Sequence, residues 1–220
     1  MKDVVCIYSG GMDSFTLVNQ THAEGRLAAC LSFNYGQRHS KELRYAAAVC
    51  DELGCEHHII NLESIKPCIT GSALTDLPDL PEGHYAADNM KQTVVPNRNM
   101  IMLSIAIAYA VSHELAVVRF GAHSGDHTIY PDCRAEFVRA MRDAAVLCDW
   151  HTVVVEAPFI EMDKYDILKV GARLGLDYAK SWTCYAGRDK ACGRCGSCQE
   201  RLEAFARIGQ RDPLAYEERT

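Results

Sequence analysis

The stretch Val4-Val5-Cys6-Ile7-Tyr8-Ser9-Gly10-Gly11-Met12-Asp13-Ser14-Phe15 runs from an unbroken apolar segment straight into a glycine turn. Residues 4–8 have the length and β-branched character of a strand buried on both faces. From residue 14 the apolar positions recur at helical spacing, and Gly25 stops them. A strand that enters a helix through two glycines presents backbone N–H groups at its carboxyl end, where open parallel sheets bind anions. Gly10 and Gly11 let the backbone approach an anion closely, and Ser9 and Ser14 add hydroxyl donors. Asp13 is itself an anion, so it faces phosphate only with Mg²⁺ between them. The plainer alternative is a strand-to-helix turn capped by Asp13 or Ser14. The position after the first strand, the flanking serines and the aspartate together favour a phosphate loop. The chain contains no Gly-Lys pair, so this is not a Walker A loop, and the three-glycine dinucleotide fingerprint is also missing.

Downstream the same alternation repeats. Strand patterns at 27–33, 57–62, 117–121 and 152–156 alternate with helical patterns at 40–53, 99–112, 134–147 and 163–174. Such alternation implies βαβ units, hence an α/β protein with a doubly wound, mostly parallel sheet. Residues 64–92 lose periodicity and collect Pro67, Gly71, Pro78, Pro81 and Gly83, which predicts a long, mobile loop of functional rather than idle character. From Trp182 the chain turns rich in Cys, Gly and Arg before a last helix at 199–208. The expected division is therefore a nucleotide-binding domain at 1–181 and a small C-terminal zinc-binding appendage at 182–220.

Composition narrows the function classes. The 220 residues are 48% hydrophobic and 24% charged, as in an ordinary soluble globular protein. No apolar run is long enough to span a bilayer, and the N-terminus lacks a signal-peptide pattern, so a cytoplasmic protein without membrane contact is expected. Twenty-three basic against 29 acidic residues give a net charge of −6, which argues against direct nucleic-acid binding. A homodimer is compatible with these features.

Eleven cysteines make an odd count, unsuited to a complete disulfide framework. Seven are scattered, while Cys184, Cys192, Cys195 and Cys198 follow the spacing C-x7-C-x2-C-x2-C. Four thiolates can close a tetrahedral shell around Zn²⁺, and the glycines between them allow the tight turns required. A thiol-exchange pair at Cys192 and Cys195 and an iron–sulfur cluster are the alternatives.

The hexamer Ser9–Ser14 resembles the S-G-G-x-D-S signature of the ATP-pyrophosphatase (PP-loop) superfamily, with its adenine nucleotide alpha hydrolase-like fold. Four more motifs sharpen the likeness: Phe33-Asn34-Tyr35-Gly36-Gln37-Arg38-His39, Val95-Pro96-Asn97-Arg98-Asn99, Tyr130-Pro131-Asp132-Cys133-Arg134 and Trp182-Thr183-Cys184-Tyr185. In order and spacing they resemble the 7-cyano-7-deazaguanine synthase family, over nearly the whole chain. Asn97 and Ile129 stand where that resemblance leads one to expect glycine.

The resemblance implies a ligase that uses ATP and ammonia to turn 7-carboxy-7-deazaguanine into a nitrile on the route to queuosine, by adenylation and through an amide. It assigns Tyr8, Ser9, Gly10, Gly11, Met12, Asp13, Ser14 and Phe15 to the nucleotide, with Ser9, Asp13 and Ser14 catalytic. Gln37, Arg38, Arg98, Tyr130, Asp132 and Arg134 would hold the base and its carboxylate. Taken singly, Arg98 and Asp132 read as turn and cap residues in surface ion pairs. His123-Ser124-Gly125-Asp126-His127 reads as a substrate loop ahead of a metal motif, and His39 as a residue facing the nucleotide. Two rivals remain: a PP-loop tRNA thiolase, disfavoured by the charge and length, and a non-catalytic zinc-knuckle binding protein, disfavoured by the intact phosphate loop.

Overall fold

The computed structural model describes residues 1–218; the last two residues of the expected 182–220 appendage lie outside the described residues. Five strands, β1 (Val4–Ile7), β2 (Leu27–Asn34), β3 (Glu56–Asn61), β4 (Val117–Arg119) and β5 (Val154–Glu156), form one sheet in the order β3-β2-β1-β4-β5. Every pairing is parallel, with Val4 opposite Leu27 on one side and Val117 on the other. The order reverses between β1 and β4, which opens a crevice beyond their carboxyl ends.

Among the described residues six α-helices cover the sheet: α1 (Met12–Ala23), α2 (Glu42–Leu53), α3 (Arg98–Ser112), α4 (Ala135–Ala145), α5 (Lys164–Arg173) and α6 (Gly196–Arg207). Alternation along β1 sorts them into two layers, because successive side chains point to opposite faces. Val4 and Cys6 pack with Phe15 and Val18 of α1, Val49 of α2, Leu168 of α5 and Phe205 of α6. Val5 packs with Leu103 and Ala106 of α3 and Met141 of α4. A sheet covered on both faces has almost wholly buried strands, and Val4, Val5, Cys6, Leu31 and Val118 are indeed buried.

Three elements depart from expectation. The stretch 64–92 is packed rather than open: it contains 3₁₀ turns at Glu63–Cys68 and Asp88–Thr93. Ile69, Leu74, Tyr85 and Met90 from this stretch join the α3 side of the core. Its turns are held by polar contacts invisible to a periodicity reading, such as the Asp76 carboxylate accepting from the Gly71 and Ser72 amides. Helix α6 begins at Gly196, inside the cysteine knot, earlier than the apolar spacing announces. Helix α3 begins at Arg98 after Asn97 in the left-handed region, at φ 56°. That conformation explains an expected glycine there, and Asn tolerates it better than most other residues. Ile129, by contrast, has φ −103°, which demands no glycine.

The C-terminal segment is fastened to the sheet layer by Arg201, which is fully buried. Its guanidinium pairs with Asp212 at 2.7 Å and donates to the Tyr178 carbonyl at 2.9 Å and the Ser181 hydroxyl at 2.9 Å. Among the described residues, no helix is long and apolar enough to cross a membrane.

Candidate active site

The loop after β1 is shaped by contacts that only glycine permits. Gly10 has φ +89°, and a Cβ there would lie 2.2 Å from the Glu42 carbonyl oxygen. Its own carbonyl accepts from the Trp182 amide at 2.9 Å, so the C-terminal segment holds the loop from outside. Within the loop, the Ser9 and Ser14 hydroxyls lie 3.0 Å apart. Ser9 Oγ accepts from the Gly11 amide at 3.1 Å, and Ser14 Oγ donates to the Gly11 carbonyl at 3.2 Å. Gly11 caps α1 without a side-chain acceptor, which leaves the first-turn N–H groups for a ligand. Across the crevice, Gly121 after β4 lets the Ser14 backbone approach; a Cβ on it would stand 3.3 Å from the Ser14 nitrogen.

Behind the loop lies a buried set of charges. Asp13 Oδ2 is 3.3 Å from Lys164 Nζ and 3.6 Å from His123 Nε2. Lys164 also pairs with Glu200 Oε2 at 2.6 Å. His123 lies 3.5 Å from Asp126, whose other oxygen accepts from the Tyr85 hydroxyl at 2.6 Å. Burial alone would push the His123 imidazole down, but Asp126 and Asp13 outweigh it and raise it to about 9. Burial would likewise raise the Asp13 carboxyl, yet Lys164 and His123 hold it well below the usual carboxylate range. Burial raises Glu200 despite the attraction of Lys164 and His123. Three carboxyl groups thus face one lysine and one imidazole, and Asp13 Oδ1 is buried with no hydrogen-bond partner among the described residues. A lone carboxylate oxygen beside an anion-binding loop suits a hard divalent cation such as Mg²⁺.

The cleft is lined by Tyr8, Ser9, Gly11, Met12, Asp13 and Ser14 from the loop and its helix, together with Phe33, Tyr35, Tyr85, Arg98 and Tyr185. Arg98 Nη1 reaches the Tyr35 hydroxyl at 3.4 Å, and among the described residues no carboxylate lies within ion-pairing distance of it. His39 and Glu42, 3.4 Å apart, form one polar wall of the cleft, whose lining also includes Asn99, Thr183 and Ser197. Burial pushes Glu42 up to about 8, with the Gln37 hydrogen bond and Arg98 opposing, and burial together with Arg98 pushes His39 down to about 3. The wall is therefore uncharged near neutral pH, which suits a cleft meant for anions.

The other sequence candidates fall outside the cleft lining. Phe15 is buried in the layer beneath α1. Gln37 braces its own loop, donating to the Phe33 carbonyl and accepting from the Tyr35 amide, each at 2.9 Å. Arg38 points outward to the Leu77 carbonyl. Asp132 accepts from the Asn99 amide at 3.1 Å, a cap at the start of α3, and Arg134 donates to the His127 carbonyl at 2.8 Å. Tyr130 is buried, its hydroxyl 2.5 Å from Thr93 and 3.3 Å from Tyr185. For Asp132 the cap part of the turn-and-cap reading matches the contacts, though among the described residues neither it nor Arg98 forms the expected surface ion pair.

Lys164 and Glu200 are the residues that sequence reasoning missed. One signal was available for Lys164: it is the first residue of α5, where the helix dipole disfavours a cation. Glu200 carried none, lying on a helix whose start was read too late.

The four clustered cysteines are buried, and their sulfurs all lie within 4.8 Å of one another. Cys184 Sγ accepts from the Cys192 amide at 3.2 Å, and Cys192 Sγ accepts from the amides of Arg194 and Cys195 at 3.4 and 3.3 Å. Backbone donors to sulfur stabilise thiolates, so the four are placed to hold a metal ion.

The sequence profile described as "Queuosine biosynthesis protein QueC" matches residues 3–209. Among curated proteins, "7-cyano-7-deazaguanine synthase" of Marinobacter nauticus is 58% identical over 214 residues, covering 97% of each chain. "7-cyano-7-deazaguanine synthase 1" of Colwellia psychrerythraea is 56% identical over 216 residues, covering 98% of this chain and 99% of the relative. Among solved structures, the NMN synthetase of Francisella tularensis superposes with a TM-score of 0.54 at 14% identity, over 96% of this chain and 78% of the other. The U34-tRNA thiolase NcsA of Methanococcus maripaludis gives 0.50 at 17% identity, over 83% and 60%. At these identities the two structures speak for the fold alone.

Proposed function

The chain belongs to the QueC family of queuosine biosynthesis proteins, and from that membership we propose that it is a carbon–nitrogen ligase making 7-cyano-7-deazaguanine. Its substrates are 7-carboxy-7-deazaguanine, ammonia and ATP. The observation that carries this reading is that the phosphate loop and the unpaired Arg98 line one cleft. A guanidinium without a carboxylate partner suits the carboxylate of a planar base, and Phe33, Tyr35, Tyr85 and Tyr185 suit its faces.

In the first half-reaction a carboxylate oxygen attacks the α-phosphorus of ATP, and pyrophosphate leaves. Ser9, Ser14 and the first-turn amides of α1 hold that pyrophosphate, stabilising charge as it develops. Ammonia then adds to the acyl carbon and AMP departs, which leaves the amide. In the second half-reaction the amide oxygen attacks the α-phosphorus of a second ATP and pyrophosphate leaves; AMP then departs with the oxygen as the nitrogen loses its two protons, which gives the nitrile. Mg²⁺ held through Asp13 would neutralise phosphate charge. Lys164 and His123 keep Asp13 ionised and aimed, acting as positioning residues. The packed stretch 64–92 contributes Tyr85 as a wall that limits water.

The knot at 182–220 is read as a structural zinc segment and 1–181 as the nucleotide-binding part. A closed shell of four sulfurs leaves no position for substrate, so the metal's task is to hold Trp182, whose amide fastens Gly10. Eleven free cysteines and a net charge of −6 support a cytoplasmic enzyme that does not bind nucleic acid directly. Incubation of the purified protein with the 7-carboxy base, ATP and ammonium tests the reading. The nitrile should form, and the 7-amido base should be accepted in place of the acid. An amide that accumulates and never converts would refute the second adenylation.

A further inference from the structure

Away from the cleft, a second group of sulfurs converges on the outer side of β2. Cys30 of β2, Cys50 of α2 and Cys55 beyond it have sulfurs that all lie within 4.8 Å of one another. Cys30 and Cys50 are buried, and Cys55 is partly exposed. We propose that Cys30, Cys50 and Cys55 form a second, three-sulfur site for a thiophilic divalent cation, with Zn²⁺ as the natural occupant.

The backbone explains how two of the sulfurs meet. Helix α2 ends with Gly54 in the left-handed region, at φ 59°. The Gly54 amide donates to the Asp51 carbonyl at 3.2 Å, and the Cys55 amide donates to the Cys50 carbonyl at 3.1 Å. These are the paired bonds of a Schellman ending, which brings the residues at its two ends into side-chain contact. That contact is ordinarily apolar; here both partners are thiols, so the motif forms a two-sulfur clip. Cys30 closes the triangle from the neighbouring strand, with Cys55 Sγ 3.9 Å from Cys30 Sγ. Tetrahedral zinc with bonds of about 2.3 Å needs sulfurs about 3.8 Å apart, so little movement is required.

Two further features favour a cation over a free reactive thiolate. The site lies at the carboxyl end of α2, where the dipole stabilises positive charge and opposes an isolated thiolate. His57 is paired in register with Cys30 on the adjacent strand, so its half-buried imidazole lies on the same face of the sheet. Its Nε2 engages the Ser32 hydroxyl at 2.8 Å, and the imidazole borders the site without joining the sulfur triangle, so a water entering past the partly exposed Cys55 completes the shell. The occupied site would pin the end of α2 to β2, and none of its three cysteines lines the cleft.

The test uses the full chain, kept reduced with a phosphine and equilibrated with buffered free Zn²⁺, against Cys55→Ser. Cys55 is chosen because its partial exposure makes the serine well tolerated. Metal analysis should give two zinc ions per chain for the parent and one for the variant. With ¹¹³Cd²⁺ as the probe, the parent should show two thiolate-shifted resonances, and Cys55→Ser should lose one while keeping the other. Nitrile formation should be little changed. One zinc per chain in both proteins would overturn the proposal, as would a disulfide joining Cys55 to Cys50 or Cys30 in freshly isolated protein.

Discussion

In the proposed reaction Asp13 is the residue on which the chemistry turns, and its surroundings make a sharp prediction. The side chain is held ionised by Lys164 and His123, while Oδ1 has no partner. Asp13→Asn keeps the shape but removes the charge, so turnover should fall by at least about 10²-fold. Melting temperature separates this loss from unfolding; a variant with near-parent activity would contradict the assignment. Asn97 carries a different prediction. At φ 56° a β-branched residue is strained, so Asn97→Val should cost about 1–2 kcal/mol, whereas Asn97→Gly should be neutral or stabilising. Urea denaturation of the three proteins decides it. Glu42 gives a pH dependence whose sign follows from its environment. Its folded value, about 8, lies above the ordinary 4.5, so its contribution to stability is complete below about pH 4.5 and is lost as pH rises through 8. Glu42→Gln should therefore remove on the order of 1–3 kcal/mol of the stability that the parent loses between pH 5 and 8.5. Equal pH slopes for the two proteins would show that Glu42 is ionised throughout.

At the scale of elements, most of the architecture was legible because both layers obey simple periods. The buried runs of β1 and β2 and the helical spacing of α1, α3 and α5 are signals that tertiary contacts reinforce rather than override. The stretch 64–92 reads as a loop, and its packing stays hidden because its order comes from side-chain-to-backbone bonds and scattered anchors such as Leu74 and Met90, which leave no period. The site divided along the same line. The loop Ser9–Ser14 declared itself by composition, whereas Lys164 and Glu200 reach Asp13 from distant elements, and no local pattern reports such convergence. The cysteine knot was legible by spacing alone. Its coupling to the loop, through Trp182 and Gly10, was not. That coupling predicts that Cys195→Ser lowers melting temperature by several degrees and also weakens ATP binding, while discrimination between acid and amide substrates stays the same. Calorimetry and nucleotide titration of the zinc-loaded parent and the variant measure both.

On the scale of the whole molecule, a parallel sheet with one crevice at its topological switch brings the phosphate loop, the buried charges and Arg98 together. The central claim is that this one cleft activates two different oxygens in succession, first of the acid and then of the amide. Each activation transfers the substrate oxygen to the phosphorus of the departing AMP. The direct test is a reaction with 7-carboxy-7-deazaguanine carrying ¹⁸O in both carboxylate positions, with AMP and nitrile quantified by mass spectrometry. The account predicts two AMP per nitrile, each bearing a single ¹⁸O. One AMP per nitrile, or half of the label released to water or inorganic phosphate, would contradict it.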